Sequence, residues 1–324
     1  MLLPVFAGLV IAYLLDGLVE LLEKRKCPRL AAVLIVFSLF MTTLVFIIIG
    51  LLPLLSRQAT QLVNRIPDMI TRGQDLLLAL PQRYPHLMTS YQISEVISSI
   101  RLEVLTYSQN VLSLSLSSVV GLLTILLYFV LLPMLVFFFL KDKQKILEWM
   151  HSYLPEERKL VGQVWTEVDL QIGNYVRGKF IEILLVGVAT YITFIALGLQ
   201  FAPLLSVLVA LSVLIPYIGI IVVSVPVTMV AYSQWGTGPD FLWLMGVYLV
   251  VQGLDGTVLV PLLFSEVVNL HPIAIIVAVL MFGGLWGFWG VFFAIPLATL
   301  VQAVLKAWPA FNSNRPAIHE AQQD

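Results

Sequence analysis

The sequence predicts an all-α, polytopic membrane protein with about six to eight apolar segments, including two re-entrant hairpins in an inverted repeat. Three observations predict it. Of the 324 residues, 60% are hydrophobic and only 11% charged, where a soluble domain has about 45 to 50% and 25%. The apolar residues are gathered into runs of about 20, the length of a helix that crosses a bilayer. From Phe180 onward one pattern, a full apolar helix followed by a Pro/Gly-broken apolar pair, occurs twice. The balanced charge, 18 Lys+Arg against 19 Asp+Glu, gives no basic surface for nucleic acid. The single cysteine, Cys27, excludes a disulfide scaffold or a multi-cysteine metal centre.

Residues 1–55 supply the N-terminal transmembrane helices. The first crossing, 2–22, ends at Glu23, Lys24, Arg25, Lys26, Cys27, Pro28 and Arg29, a basic loop that belongs on the cytoplasmic side. Because the basic cluster follows the apolar run, and Asp16 and Glu20 interrupt it, the segment reads as a retained helix with an outside N-terminus rather than a signal peptide. Residues 31–54 return to the outer face. The next region, 56–112, reads as an extracytoplasmic helical segment, amphipathic and broken at Pro67, Pro81 and Pro85, whose arginines alternate with carboxylates. Residues 113–140 re-cross to the cytoplasmic exit at Lys141, Asp142, Lys143, Gln144 and Lys145.

Residues 141–179 carry a helical stripe that includes Val161, Val164, Trp165, Val168, Ile172 and Tyr175. Such a stripe fits a helix lying in the membrane interface or one packed on other helices of the protein. The transport core spans 180–308, and a polar tail, 309–324, follows it.

In the core, the crossing from Phe180 to Leu199 precedes Pro203 and two short apolar pieces split at Pro216, Tyr217 and Gly219. The crossing from Phe241 to Leu263 precedes Pro272 and two pieces split across Gly283, Gly284, Gly287 and Gly290. The first crossing should run outward and the second inward, so the paired pieces enter from opposite faces. Interrupted segments at matching places in two halves point to a midplane substrate site, because broken helices free backbone groups to face a ligand. Two ordinary short spans in each half would keep the same parity.

Asp255 stands near the middle of an otherwise apolar crossing, with Gln252 one turn before it. An ionisable group there is expected on a substrate or ion pathway, the alternative being a helix-to-helix hydrogen bond. Glu266, Asn269 and His271 precede Pro272, where a turn could gather them beside the second hairpin. Histidine is the side chain that serves as a switch near neutrality, although a lone histidine such as His271 at a membrane edge also serves structure. The spacing of Lys179 and Glu182, and of Glu20 and Lys24, predicts local ion pairs at the cytoplasmic edge.

Residues 173–179 imitate a phosphate-binding loop, yet Phe180 stands where Ser or Thr is needed and no strand precedes it. His86, His151, His271 and His319 form no H-E-x-x-H pair, and no G-x-S-x-G is present. No enzyme, metal site or cofactor is therefore expected.

The stretches NYVRGK (Asn174 to Lys179), LIPYIG (Leu214 to Gly219), NLHP (Asn269 to Pro272) and FGGLWGFWGVFFAIP (Phe282 to Pro296) together resemble the autoinducer-2 exporter family over nearly the whole chain. The first of them, with Asn174, Tyr175, Arg177 and Gly178, forms a cytoplasmic-edge motif. The resemblance implies a multi-pass protein of the bacterial inner membrane, a homo-oligomeric assembly, and export of a small-molecule substrate. The family pattern also expects a further helix before the crossing that contains Pro4 to Gly17. With no ATP-binding motif, transport would draw on a gradient. A partner-recruiting membrane scaffold and a passive channel are the alternatives that the sequence leaves open.

Overall fold

A computed structural model of the chain describes residues 3–83, 119–152, 159–264 and 270–307. Every regular element among them is helical. The first helices are α1 (Leu3–Lys24), α2 (Arg29–Phe46) and α3 (Leu52–Arg83), the last two joined by a π-helical turn, Ile47–Leu51. Then come α4 (Val119–Lys141), α5 (Lys143–His151) and α6 (Lys159–Ala196). The core continues with α7 (Ala202–Ser212), α8 (Ile218–Trp235) and α9 (Pro239–Leu254). A second π turn, Asp255–Leu259, leads into α10 (Val260–Phe264), and α11 (Pro272–Trp286), α12 (Phe288–Phe292) and α13 (Ala294–Ala307) complete the fold.

Five helical stretches among the described residues are long and apolar enough to cross a membrane: Pro4–Lys24, Arg29–Met69, Gln171–Ala196, Ile218–Trp235 and Pro239–Phe264. Large apolar side chains such as Phe46, Trp243 and Leu262 stand outward. A soluble fold would not leave so much of its apolar surface in water, whereas lipid covers it at no cost.

Two expected boundaries fall inside helices. The chain passes from the second crossing into α3 without a break, and α3 runs through Pro67 and Pro81. Each proline removes only one N–H from the ladder, and around Pro67 the helix is partly exposed, so water reaches the freed carbonyl and the helix continues. The amphipathic stripe and the crossing that follows it likewise form one helix, α6.

Three apolar clusters hold the bundle. Ala12, Leu15 and Val19 of α1 pack on Val33 and Val36 of α2 and on Val136 and Leu140 of α4. At the end of this group the Arg29 guanidinium donates to the Leu140 carbonyl at 3.2 Å, and Lys143 bonds Asp16 at 2.6 Å. Glu20, expected to pair with Lys24, instead lies 3.9 Å from Lys143, because α4 ends beside α1. The two basic loops are thus drawn to one end of the molecule.

α6 is shared by the other two clusters. Its C-terminal half, with Val186 and Phe194, packs on Leu205 and Val209 of α7, Val223 and Val227 of α8, and Leu244 and Tyr248 of α9. Its N-terminal half, with Tyr175 and Val176, packs on Phe264 of α10, Ile275 and Phe282 of α11, and Phe292 of α12. Because Tyr248 meets Phe194 while Phe264 meets Tyr175, α9 and α10 run antiparallel to α6. The pair α7/α8 therefore begins at one end of this two-helix core and the pair α11/α12 begins at the other.

Polar side chains close the far end. Gln58 Oε1 accepts from the Leu204 N–H at 3.0 Å, Arg65 bonds Gln200, and Gln234 Nε2 donates to the Gly198 carbonyl at 2.8 Å. The Arg65 guanidinium also stands 5.5 Å from the centre of the Phe201 ring. Arg65 thus docks α3 on the start of the first helix pair.

Candidate functional site

The two helix pairs break in matching ways. In α7/α8 the break is Val213 to Tyr217, and Tyr217 takes φ 63° while the Ile218 N–H reaches back to the Pro216 carbonyl at 2.7 Å. This is the positive-φ γ-turn, a rare and strained conformation for a residue with a side chain. In α11/α12 the break is Gly287, at φ 61°, where glycine carries no such penalty.

Just beyond each break one arm crosses the other at backbone contact. A Cβ on Gly219 would land on the Ser212 carbonyl, and one on Gly290 would land on the Phe282 carbonyl. Gly283 faces Val291 across the second pair, while Gly284 has open space around it. Of the expected hairpin glycines, Gly219 and Gly290 therefore form a corresponding pair with a shared packing reason.

The first break is tied to α6 by a buried charge. Lys179 Nζ donates to the Val213 carbonyl at 2.8 Å and pairs with Glu182 at 2.8 Å. Their side chains are 6% and 2% exposed, so the expected local ion pair forms, and it is buried. Lys179 also stands 5.2 Å from the centre of the Phe264 ring, and Gly178 packs directly on that ring. Only glycine leaves room there, which explains the Gly–Lys order of the motif. Removing one member of such a pair costs about 3–5 kcal/mol, since the other charge is left buried alone.

Asp255 opens the second π turn and lies within Coulombic range of both Lys179 and Glu182. It is 7% exposed, as is Gln252. Gln252 Nε2 donates to the Tyr248 hydroxyl at 2.8 Å, and that hydroxyl shares a 3.1 Å hydrogen bond with Ser224 of α8. Among the described residues, Asp255 Oδ1 and Gln252 Oε1 have no hydrogen-bond partner. A π turn inserts one extra residue into a helix and re-aims side chains around it, and such turns recur at functional sites. Here it presents a carboxylate oxygen with unused acceptor capacity.

The other expected residues divide. Tyr175 is buried against Phe264 and Phe292 at 5.7 and 6.0 Å between ring centres. Asn174 and Arg177 bond each other at 3.3 Å, and the Arg177 guanidinium rests against Gly17 of α1. Neither joins the Asp255 group. His271 is exposed and caps α11, its Nδ1 accepting from the Ile273 N–H at 3.3 Å. Glu266 and Asn269 lie outside the described residues. Lys179 and Glu182 are coupled electrostatically to Asp255, although their spacing alone marked them as a local pair. The available signal was a lysine and a glutamate at the head of an otherwise charge-free stretch.

A family model described as AI-2E family transporter matches residues 1–310. A protein of Escherichia coli strain K12 named as a permease, PerM, is 48% identical over 309 residues, covering 95% of this chain and 88% of its own length. Two proteins of Bacillus subtilis strain 168, named as the transport proteins YueF and YrrI, are 29% and 24% identical, covering 93% and 94% of this chain and 82% and 85% of their own.

Proposed function

The chain belongs to the AI-2E transporter family and is a multi-pass protein of the bacterial inner membrane, and from that premise we propose that it exports a small molecule by a gradient-driven cycle at the Asp255 site. The observation that carries this reading is the pair of unused acceptors, Asp255 Oδ1 and Gln252 Oε1, on side chains more than nine-tenths buried. Desolvated acceptors without donors are costly in a purely structural role and suit a ligand that comes and goes.

In this cycle α7/α8 and α11/α12 are re-entrant hairpins that enter from opposite faces and close the pathway. Gly219 and Gly290 let the arms of each hairpin move as one tight unit. The homo-oligomer implied by the resemblance is part of the reading, as are pathway roles for Glu266, Asn269 and His271 beside the second hairpin.

The substrate is sought by untargeted small-molecule profiling, with autoinducer-2 included because the family is named for it. Cells lacking the protein are compared with cells complemented by wild type or by Asp255→Asn. The expected outcome is a compound that builds up inside deletion cells, returns to its normal level with wild type, and stays high with Asp255→Asn. Flux of that compound through vesicles containing purified protein then confirms the direction. A variant profile identical to wild type would remove Asp255 from the mechanism.

A further inference from the structure

Charge counting in the buried site leads beyond a generic polar pathway. Glu182 pairs with the Lys179 ammonium at 2.8 Å, and the π turn that carries the second buried carboxylate, Asp255, packs on the same helix, α6. Fully ionised, the group carries one uncompensated negative charge in a medium that penalises it severely. Lys179 is held by Glu182 and by the Val213 carbonyl, and Asp255 Oδ1 and Gln252 Oε1 are left without donors. Among the described residues, the ionisable groups coupled electrostatically at the site are Lys179, Glu182 and Tyr175 on α6 and Asp255 at the π turn. α10 contributes the Phe264 ring. Among the described residues no second cation is paired with these carboxylates.

We propose that Asp255, Glu182 and the Gln252 side-chain oxygen form a binding site for one monovalent cation, a proton or an alkali ion, for which the Lys179 ammonium is the tethered competitor. The inference rests on the transport reading for its purpose, since it names the coupling ion's site, but the binding event is independent of any substrate. One arriving positive charge neutralises the group. It also weakens the hold of the carboxylates on Lys179, and Lys179 is the side chain that bonds the broken end of α7 at Val213. Occupancy of the site is thereby linked mechanically to the first hairpin, with Lys179 acting as a positioning residue.

The test uses purified full-length protein in detergent and no substrate. Equilibrium binding of radioactive sodium is measured, and in parallel the protons taken up on a downward pH step are counted with an indicator dye. Wild type is expected to show one of the two: sodium binding, which assigns an alkali ion, or uptake of one proton more per chain than Asp255→Asn, which assigns a proton. Lys179→Gln removes the competitor and is expected to tighten the cation's apparent binding by about tenfold or more. Lys179→Arg, which keeps the charge, is expected to stay close to wild type.

Because Lys179→Gln leaves Glu182 without its partner and can unfold the chain, Asp255→Asn gives the independent reading. It preserves the ion pair and is expected to abolish the response. Neither response in wild type, a folded Lys179→Gln with unchanged binding, or an Asp255→Asn that responds as wild type does would overturn the proposal. Cation binding as expected in a protein that moves no solute would overturn the transport reading and leave this site standing. Solute flux without cation binding would do the reverse.

Discussion

At the scale of single residues, the most constrained positions are two glycines whose reason is backbone contact. At Gly219 and Gly290 a methyl group has nowhere to go except into a carbonyl of the opposite arm. Gly219→Ala and Gly290→Ala should each destabilise the protein by about 1–3 kcal/mol or more. Gly284→Ala, with open space around the new Cβ, should be neutral or slightly stabilising, because alanine is the better helix former. Thermal unfolding of the three purified variants in one detergent checks the ranking, and equal melting temperatures would contradict it. The sequence showed that glycines cluster at the breaks but not which of them bear contact, since that depends on where the partner arm lies. Asp255 and Gln252 were legible as intramembrane polar residues. The link of Asp255 to Lys179 and Glu182, more than 70 positions earlier in the chain, was not, because no local spacing encodes a contact between α6 and the π turn.

At the scale of elements, the π turn at Asp255–Leu259 is the feature that sequence periodicity hides most completely. An apolar helix reads the same with or without one extra residue when nearly every position is hydrophobic. That extra residue separates what the turn does for function from what it does for folding. Deleting Gly256, around which there is open space, should convert the turn to regular α-helix and leave α10 in register beyond it. Phe264 would then still reach Gly178 and Tyr175. The expected outcome is a melting temperature equal to or above wild type together with loss of transport, since the π turn no longer sets the direction of the Asp255 carboxylate. Transport that survives the deletion would show that the turn has no part in placing the carboxylate. A collapse in stability would show that the helix cannot absorb the change. The same hydrophobic uniformity explains why the amphipathic stripe and the crossing of α6 read as separate segments: the boundary between them is one of polarity, not of backbone.

At the scale of the whole molecule, a charge bias in the loops and a set of long-range contacts describe one topology independently. Positive-inside counting puts residues 23–29 and 141–145 on the cytoplasmic side. The structure brings those loops together through Asp16, Lys143 and Arg29, and gathers Gln58, Arg65, Gln200 and Gln234 at the other end of the core. From Arg29 to Arg65 the nearly continuous helix rises about 54 Å, more than the roughly 40–45 Å of a bilayer with its headgroups. Arg65 must therefore stand outside the membrane if Arg29 lies at its inner edge. Single cysteines test this arrangement after the native Cys27 is replaced by serine. Gln200→Cys should react with an impermeant maleimide in intact spheroplasts, while Lys145→Cys, at an exposed position, should react only after permeabilisation. Labelling of both from one side would mean that the two ends share a compartment, and the opposed entry of the hairpins would fall with it. The opposite assignment, with only Lys145→Cys reached from outside, would keep the inverted repeat intact and reverse the face from which each hairpin opens.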